Sequence, residues 1–324
     1  MKQKFKSIFA EDFEGYLEYY GSAGYSREKI ECYFKNLDLF LFKNKLSVKN
    51  LSKTMISEWL SEKNISNKSK VKIINILNGF SKYLELFDVK ICFLPEKPKI
   101  TNDYTPYVFS NQEFERIIYA ADMFKGHKRQ RNSTFQFPIL LRILYGCGLR
   151  VGEAISLTWG NVKINEGTLL ILKAKNKKQR FVPMDLSLVE LLKKYKRFVD
   201  SKGICQDYLF ESKASSAYSI DYFHDWFCKI LKHAGIQYIK QQLHERGPCP
   251  HCLRHSFTIR SFQKSAAEGR IFMDTAPILS AYLGHDSIME TEKYLRASYL
   301  VYEDSQNLIS DYIGDLFPTE VTFE

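Results

Sequence analysis

Residues 145–159, YGCGLRVGEAISLTW, follow a nearly all-apolar segment that predicts a buried helix. Gly146 and Gly148 predict a break in this helix, and the next helix is predicted to begin at about Val151. Arg150 is therefore expected in a tight turn beside a helix N-terminus, where an anion is favoured. Glu153 follows three residues later and is placed to hold the guanidinium group. An arginine paired with its own helix is common, so this motif alone does not identify a function.

A β-hairpin is predicted at residues 168–184, TLLILKAKNKKQRFVPM, where two apolar arms surround a basic turn. The basic residues of this turn are Lys173, Lys175, Lys177, Lys178 and Arg180. Many such turns are simply solvated. The alternative is a loop that contacts a phosphate backbone, where the lysine at its tip donates a proton to a departing oxygen.

Two further motifs lie nearer the C-terminus. In HCLRHSF, His251 and Arg254 are three residues apart and share one face of a predicted helix. The guanidinium fork of arginine suits phosphate oxygens. In AYLGHDSIMETEKYLRAS, residues 281–298, His285 follows a helix-ending glycine, and S-x-x-E at 287–290 predicts the start of another helix. Tyr294 lies two turns into that helix.

Taken in chain order, these motifs resemble the tyrosine recombinase (phage integrase) family. Each motif is weak alone, but four in the right order make a specific pattern. The resemblance covers the whole chain, because the family also has a helical core-binding domain joined by a linker. It implies a mainly α fold with a small β-hairpin or sheet (α+β) that closes on DNA as a C-shaped clamp.

The resemblance also implies the chemistry. Family members cleave DNA with a tyrosine, without metal or cofactor, and form a 3′-phosphotyrosyl link. Tyr294 would be the nucleophile, Lys175 would protonate the leaving 5′-oxygen, and Glu153 would play a supporting role. Both glycines of the family's hairpin motif are replaced here, so Lys173 or Lys177 could be the general acid instead. The remaining donors to the phosphoryl group would be Arg150, His251, Arg254 and His285.

The chain divides into three predicted parts. Residues 1–95 carry four amphipathic helical patterns and form the predicted core-binding (SAM-like) domain. Residues 96–106 form a linker, and residues 107–324 form the catalytic domain. The family works as a tetramer on two DNA sites, and the tail from about 303 to 324, which lacks lysine and arginine, is predicted to dock into a neighbouring protomer. The predicted DNA contacts of the first domain include Lys63, Lys68, Lys70 and Lys72.

Composition agrees with an anionic partner, expected to be double-stranded DNA. The 324 residues contain 47 Lys+Arg and 37 Asp+Glu, a net charge of +10. We find no signal peptide and no run of eighteen apolar residues, so no membrane partner and a cytoplasmic location are predicted. Seven scattered cysteines indicate reduced thiols.

A zinc site is the competing interpretation of the cysteines near the His/Arg pair. The potential ligands are His244, Cys249, Cys252 and His255. Pro250 is suited to the first turn of a helix, and a metal cluster around that turn would occupy the space that DNA needs. No metal is therefore predicted, and packing roles are favoured for the cysteines.

Several biological roles remain open. Integration or excision of a mobile element is favoured, and Xer-like resolution of replicon dimers is the alternative within the family. A metal-dependent nuclease would need clustered carboxylates, whereas the acidic residues here are scattered. A non-catalytic DNA-binding protein would have no need of His285 and Tyr294 at their spacing. The sequence does not identify the target site or any accessory protein.

Overall fold

The computed structural model describes residues 5–89, 95–100, 107–125, 131–172, 179–203, 206–212, 216–238, 247–285, 287 and 291. The chain separates into two compact units, Met1–Asp103 and Tyr104–Glu324. Each unit has its own cluster of buried apolar side chains. The described residues are mainly helical with one small sheet, which confirms the predicted fold class.

The first unit contains four helices where the sequence predicts four. They are α1 (Ala10–Ser22), α2 (Glu28–Lys43), α3 (Lys53–Ser61) and α4 (Asn67–Glu85). The side chains of Ser52 and Ser66 accept hydrogen bonds from backbone N–H groups at the starts of α3 and α4, which fixes where these helices begin. Aromatic rings from three helices form the centre of the core, and Phe13 contacts both Phe34 and Phe80.

The second unit contains seven further α-helices, two short 3-10 helices (Trp159–Asn161 and Ile164–Glu166) and a sheet among its described residues. The helices are α5 (Asn111–Met123), α6 (Arg131–Cys147), α7 (Val151–Ile155), α8 (Leu186–Ser201), α9 (Ile220–His233), α10 (Pro250–Ala267) and α11 (Phe272–Leu283). The antiparallel sheet has the order β1 (Val162–Lys163), β2 (Thr168–Ile171) and β3 (Arg180–Pro183). Strands β2 and β3 are the predicted hairpin. Strand β1 is an addition, because two residues carry too little pattern to predict a strand.

The buried helix α6 organises this unit. It packs against α5 and α10, and its apolar residues lie in the core. The helix runs through Gly146 and ends at Cys147, so the prediction that both glycines break it holds only for Gly148. Gly148 adopts a φ of +60°, a left-handed conformation that suits glycine, and the chain turns there towards α7.

Helix α10 is tied to the start of the unit. The hydroxyl of Ser256 accepts a hydrogen bond of 2.8 Å from the backbone N–H of Phe109 and donates one to the carbonyl of Cys252. The first of these bonds holds the N-terminal half of α10 against the residues that precede α5, and the second lies within α10. Within the described part of the chain, no helix has the length and apolar character needed to cross a bilayer.

Candidate active site

The C-terminal end of α11 is the point where three arginines from distant parts of the chain meet. Their guanidinium groups donate hydrogen bonds to three consecutive backbone carbonyls. Arg180 binds the carbonyl of Tyr282 at 2.8 Å, Arg254 binds that of Leu283 at 2.8 Å, and Arg150 binds that of Gly284 at 3.2 Å. Carbonyls at the end of a helix lack partners within the helix and carry its negative partial charge. The helix end therefore gathers the three cations in one place.

Glu153 joins two of these arginines. Its Oε1 accepts hydrogen bonds from Nη1 of Arg150 at 3.0 Å and Nη1 of Arg180 at 3.1 Å. Its Oε2 accepts from the backbone N–H of Arg150 at 3.0 Å and from Nη2 of Arg180 at 2.8 Å. The carboxylate side chain is only 3% exposed. Burial raises the pKa of Glu153, but the bonds from Arg180 and Arg150 outweigh it and lower that pKa below its usual value.

Arg180 therefore lies in a different environment from the one expected from the sequence. The sequence places it with the turn lysines as a contact to the DNA backbone, whereas in the structure it begins β3 and its side chain is 11% exposed. Its guanidinium is occupied by Glu153 and by the carbonyl of Tyr282. Arg180 and Arg150 thus share the carboxylate of Glu153.

Arg254 is the most deeply buried of the three arginines, with 1% of its surface exposed. Nη1 donates to the carbonyl of Gly148 at 2.8 Å, and Nη2 contacts the carbonyl of Leu283 and Nε2 of His285. Arg150, by contrast, has a side chain that is 22% exposed. The two guanidinium groups share one helix end but differ in their access to solvent.

His285 contacts Arg254 through one ring nitrogen and Thr291 through the other. Its Nε2 lies 2.9 Å from Nη2 of Arg254, and its Nδ1 lies 2.7 Å from Oγ1 of Thr291, which is fully buried. Because a guanidinium can only donate, Nε2 accepts and Nδ1 carries the proton that is donated to Thr291. Burial first, and then the charges of Arg254 and Arg150, lower the pKa of His285 to about 4. The ring is therefore neutral at neutral pH.

His251 and Arg254 lie on one side of α10, as their spacing predicts, but only His251 is exposed. The ring of His251 packs edge-on against that of His255, with centroids 4.8 Å apart. Burial, together with the charges of His251 and Arg254, lowers the pKa of His255 to about 3. His251 is thus the histidine of this helix that can reach a ligand at the surface.

Several predicted site residues lie outside the described residues. These are Tyr294, Lys173, Lys175, Lys177, Lys178 and His244, together with the tail from 303 to 324. Among the described residues at the site, three guanidinium groups and one carboxylate leave a net charge of +2. This positive charge favours the binding of an anionic group such as a phosphate.

Comparison with known proteins identifies the family. The sequence profile described as the phage integrase family matches residues 108–300. The chain belongs to this family. Tyrosine recombinases, as its members are also called, are DNA strand-exchange enzymes that act through a covalent tyrosine intermediate.

Individual relatives match over most of the chain. The tyrosine recombinase XerC of Pediococcus pentosaceus is 25% identical over 285 residues, which cover 83% of this chain and 87% of that protein. The crystal structure of the XerH site-specific recombinase bound to difH substrate has a TM-score of 0.62 and 23% identity, covering 83% of this chain and 75% of that one. A lambda integrase tetramer bound to a Holliday junction has a TM-score of 0.62 and 15% identity, covering 89% and 78% of the two chains. These two structures share the fold of this phage integrase family member.

The site of this phage integrase family member also contains groups that the sequence analysis missed. Thr291 had no role assigned, although it fixes the tautomer of His285. The carbonyls of Gly148 and of residues 282–284 were missed because a carbonyl belongs to every residue and leaves no pattern. The R-x-x-E spacing did predict the contact between Arg150 and Glu153.

The cysteines of this phage integrase family member do not form a metal site with their described neighbours. Cys249 caps the N-terminus of α10, and Cys252 is fully buried one turn later. Within the described ranges, no group of three or more His, Cys, Asp or Glu side chains is arranged to hold a metal ion. His244, one of the four potential ligands, lies outside those ranges.

Proposed function

We propose that Tyr294 is the nucleophile of a site-specific recombinase that cuts and rejoins double-stranded DNA. Its phenolic oxygen would attack a phosphorus of the backbone and form a 3′-phosphotyrosyl bond, while the 5′-oxygen leaves. A phenol with an ordinary pKa of ~10 is a weak nucleophile at neutral pH, so nearby cations must favour its ionised form. The observation that carries the proposal is the convergence of Arg150, Arg254 and His285 at the end of α11.

The proposed roles follow from access and charge. Arg150 and His251 are exposed enough to donate to the non-bridging oxygens of the phosphate, where negative charge accumulates during the reaction. Arg254 adds a buried positive charge beneath them. Neutral His285 would hold Arg254 in place, because both of its ring nitrogens have partners. Lys175 would protonate the leaving oxygen, with Lys173 and Lys177 as the alternatives.

A test of the nucleophile needs no knowledge of the target sequence. The protein would be incubated with EDTA and a library of nicked duplexes of randomised sequence, and adducts that survive detergent would be collected. We expect a covalent adduct from the wild type, none from Tyr294→Phe, and one from the matched control Tyr299→Phe. Cleavage that requires Mg²⁺, or an adduct that survives Tyr294→Phe, would contradict the proposal.

The biological role that we favour is integration or excision of a mobile element. Resolution of replicon dimers is a second candidate, supported by the match to a XerC protein over most of both chains. The sequences selected in the adduct experiment distinguish them. If the selected sequence occurs at both ends of a mobile segment, it supports integration or excision. If it occurs at a single chromosomal site, it supports dimer resolution.

Assembly and DNA contact are further parts of this proposal. A homotetramer on two DNA sites is supported by the fold shared with the lambda integrase tetramer, and the tail 303–324 would join neighbouring protomers. A protein truncated after Tyr302 that still assembles on paired sites would refute this role of the tail.

In the first unit, Lys68 and Lys72 are exposed and Lys63 and Lys70 are partly exposed, as DNA contacts require. Replacing these four lysines should weaken the salt dependence of DNA binding.

A further inference from the structure

Two cysteines form a close pair at the start of the helix that carries His251 and Arg254. The Sγ atoms of Cys249 and Cys252 are 3.6 Å apart, and both thiols are free. Cys249 is partly exposed, whereas Cys252 is fully buried. The backbone N–H of Cys249 also lies 3.4 Å from Sγ of Cys252. The pair combines one accessible sulfur with one enclosed sulfur, and Pro250 and His251 lie between the two cysteines in the chain.

The surroundings make the two thiols chemically different. The contact with Cys252 lowers the pKa of the Cys249 thiol, burial opposes this, and backbone N–H groups of His251 and Cys252 lower it further. His224 on α9 acts in the same direction. The contact with Cys249, together with burial, raises the pKa of the Cys252 thiol. Cys249 is therefore the sulfur that ionises first, as expected at a helix N-terminus.

Other described cysteines lack this combination. Burial raises the pKa of the Cys147 thiol to about 12, and Cys147 has no contact with a second sulfur among the described residues. Cys32 is exposed on α2, far along the chain from the pair. On α9, Sγ of Cys228 lies 3.7 Å from Nδ1 of His224, and burial raises the pKa of this thiol.

We propose that Cys249 and Cys252 are a redox-active dithiol. Its oxidation to a disulfide displaces His251 at the start of α10 and so lowers the rate of DNA cleavage. The oxidant is a disulfide of low molecular weight. The dithiol chemistry stands by itself, whereas its effect on DNA cleavage rests on the proposed function.

The reaction proceeds in two exchanges. The Cys249 thiolate attacks one sulfur of the oxidant RSSR, the S–S bond of the oxidant breaks, and the first RS⁻ leaves. Cys252 then loses its proton and attacks Sγ of Cys249, which forms the Cys249–Cys252 bond and releases the second RS⁻. The two protons of the dithiol end on the two released thiols, so the protein loses two electrons and the oxidant gains them.

The consequence for the site follows from distance. A disulfide bond is about 2.05 Å long, so the two sulfurs must approach by roughly 1.5 Å. His251 lies between the two cysteines in the chain, and the carbonyl of Cys252 accepts a hydrogen bond from the hydroxyl of Ser256 on the next turn. Displacement of a catalytic group by about 1 Å can lower a rate roughly 100-fold. We therefore expect oxidation to slow adduct formation about 10- to 100-fold.

The first experiment measures the thiols of the full-length protein. Protein equilibrated in glutathione buffers of stepped redox potential would be quenched with acid, alkylated and analysed by peptide mass spectrometry. We expect Cys249 and Cys252 to lose two hydrogens together, reversibly, while Cys32 gains a glutathione only under more oxidising conditions. Iodoacetamide should modify Cys249 with a midpoint below the pH of ~8.5 that is typical of a thiol.

Variants identify the two roles. Cys252→Ser should stop at a glutathione adduct on Cys249, and Cys249→Ser should leave Cys252 unmodified because it is enclosed. Serine is a favourable residue at a helix N-terminus, so Cys249→Ser retains the cap of α10. The matched control Cys32→Ser should oxidise at the pair as the wild type does. Circular dichroism would confirm that each variant folds.

The second experiment measures adduct formation by the oxidised and the reduced protein. The proposal is supported if oxidation lowers the rate of adduct formation, dithiothreitol restores that rate, and Cys249→Ser shows no such change. Equal rates would overturn the link to the site. A pair that stays reduced when Cys32 is glutathionylated, or a zinc ion that protects both cysteines, would overturn the dithiol itself. If the reduced wild type forms no adduct, the proposed function fails while the thiol measurement still decides the dithiol.

Discussion

The substitution Glu153→Gln removes one charge from the centre of the arginine cluster and hardly changes the shape of the side chain. Each carboxylate oxygen accepts two hydrogen bonds, from Arg150 and from Arg180, at 2.8 to 3.1 Å. Whichever way the new amide is placed, its NH₂ group faces two N–H donors. The substitution therefore breaks two of the four bonds and leaves two guanidinium groups without their carboxylate.

The size of the effect follows from these contacts. A hydrogen bond to a charged group contributes about 1.5–3 kcal/mol, and loss of one partner of a buried ion pair costs about 3–5 kcal/mol. The Glu153 side chain is 3% exposed, so water cannot replace what is lost. We expect the free energy of unfolding to fall by about 3–5 kcal/mol. For a domain of 150–250 residues this lowers Tm by roughly 6–20 °C.

Differential scanning calorimetry on the full-length protein would measure the change. Glu190→Gln is the matched control, because Glu190 forms an ion pair with Lys193 at 2.8 Å on the exposed face of α8. Solvent screens a surface pair of this kind, so the control should melt within a few degrees of the wild type. Adduct formation should also fall about 100-fold for Glu153→Gln, because Arg150 loses its orientation.

The pH dependence provides a second check on the same reasoning. The pKa of Glu153 is lowered in the folded protein, so its stabilising contribution is complete above the unfolded value of ~4.3 and is lost as the pH falls through the lower folded value. The wild type and Glu153→Gln should therefore differ at pH 7 and converge under strongly acidic conditions. If Glu153→Gln has the same Tm as Glu190→Gln at pH 7 and forms the adduct at the wild-type rate, the carboxylate does not organise the site.

Three further outcomes are expected. Gly148→Ala should lower the free energy of unfolding by about 1–3 kcal/mol in denaturant titrations, because φ is +60° and the added methyl group would overlap the ring of Phe257. Thr291→Val should slow adduct formation and Thr291→Ser should restore it, because His285 donates to the hydroxyl of Thr291 at 2.7 Å. The pKa of His255 is about 3 in the folded protein and ~6.5 in the unfolded chain, so lowering the pH through this range should steadily decrease the free energy of unfolding. In the same titration, His255→Asn should show a shallower decrease.

Each of these outcomes has a control or a contrary result. Gly203→Ala shares a φ of +61° but places its methyl group in open space, so it should cost less than Gly148→Ala. Equal losses at both glycines would show that backbone strain alone decides the effect. An adduct rate unchanged in Thr291→Val would remove Thr291 from the site. An unchanged acid slope in His255→Asn would assign that slope to other groups.

The sequence predicted those parts of the fold that depend on local spacing. The helices of the first unit follow from apolar residues at helical intervals. The structure adds that Ser52 and Ser66 cap α3 and α4. Arg150 and Glu153 were paired correctly because three residues separate them on one helical turn. Strand β1 was missed because its two residues are held by pairing with β2 and not by a pattern of their own.

The rest of the site depends on contacts between distant residues. Arg180 binds a carbonyl 102 positions away and a carboxylate 27 positions away, and nothing in the spacing of these residues indicates either contact. Its place among turn lysines suggested a surface role, whereas β3 directs it inward. The burial of Arg254 was likewise beyond prediction, because H-x-x-R specifies a shared face but not how deep each side chain lies.

The last turn of α11 offers the arginines main-chain oxygen atoms only. Substitutions at residues 282 and 283 therefore cannot remove these hydrogen-bond acceptors, since every amino acid has the same backbone carbonyl. The vulnerable position is Gly284, whose φ of +66° and closeness to the Arg180 guanidinium leave no room for a side chain. Redesign of this enzyme can accordingly diversify the surface around the helix end, provided that this one glycine and the path of the backbone are preserved.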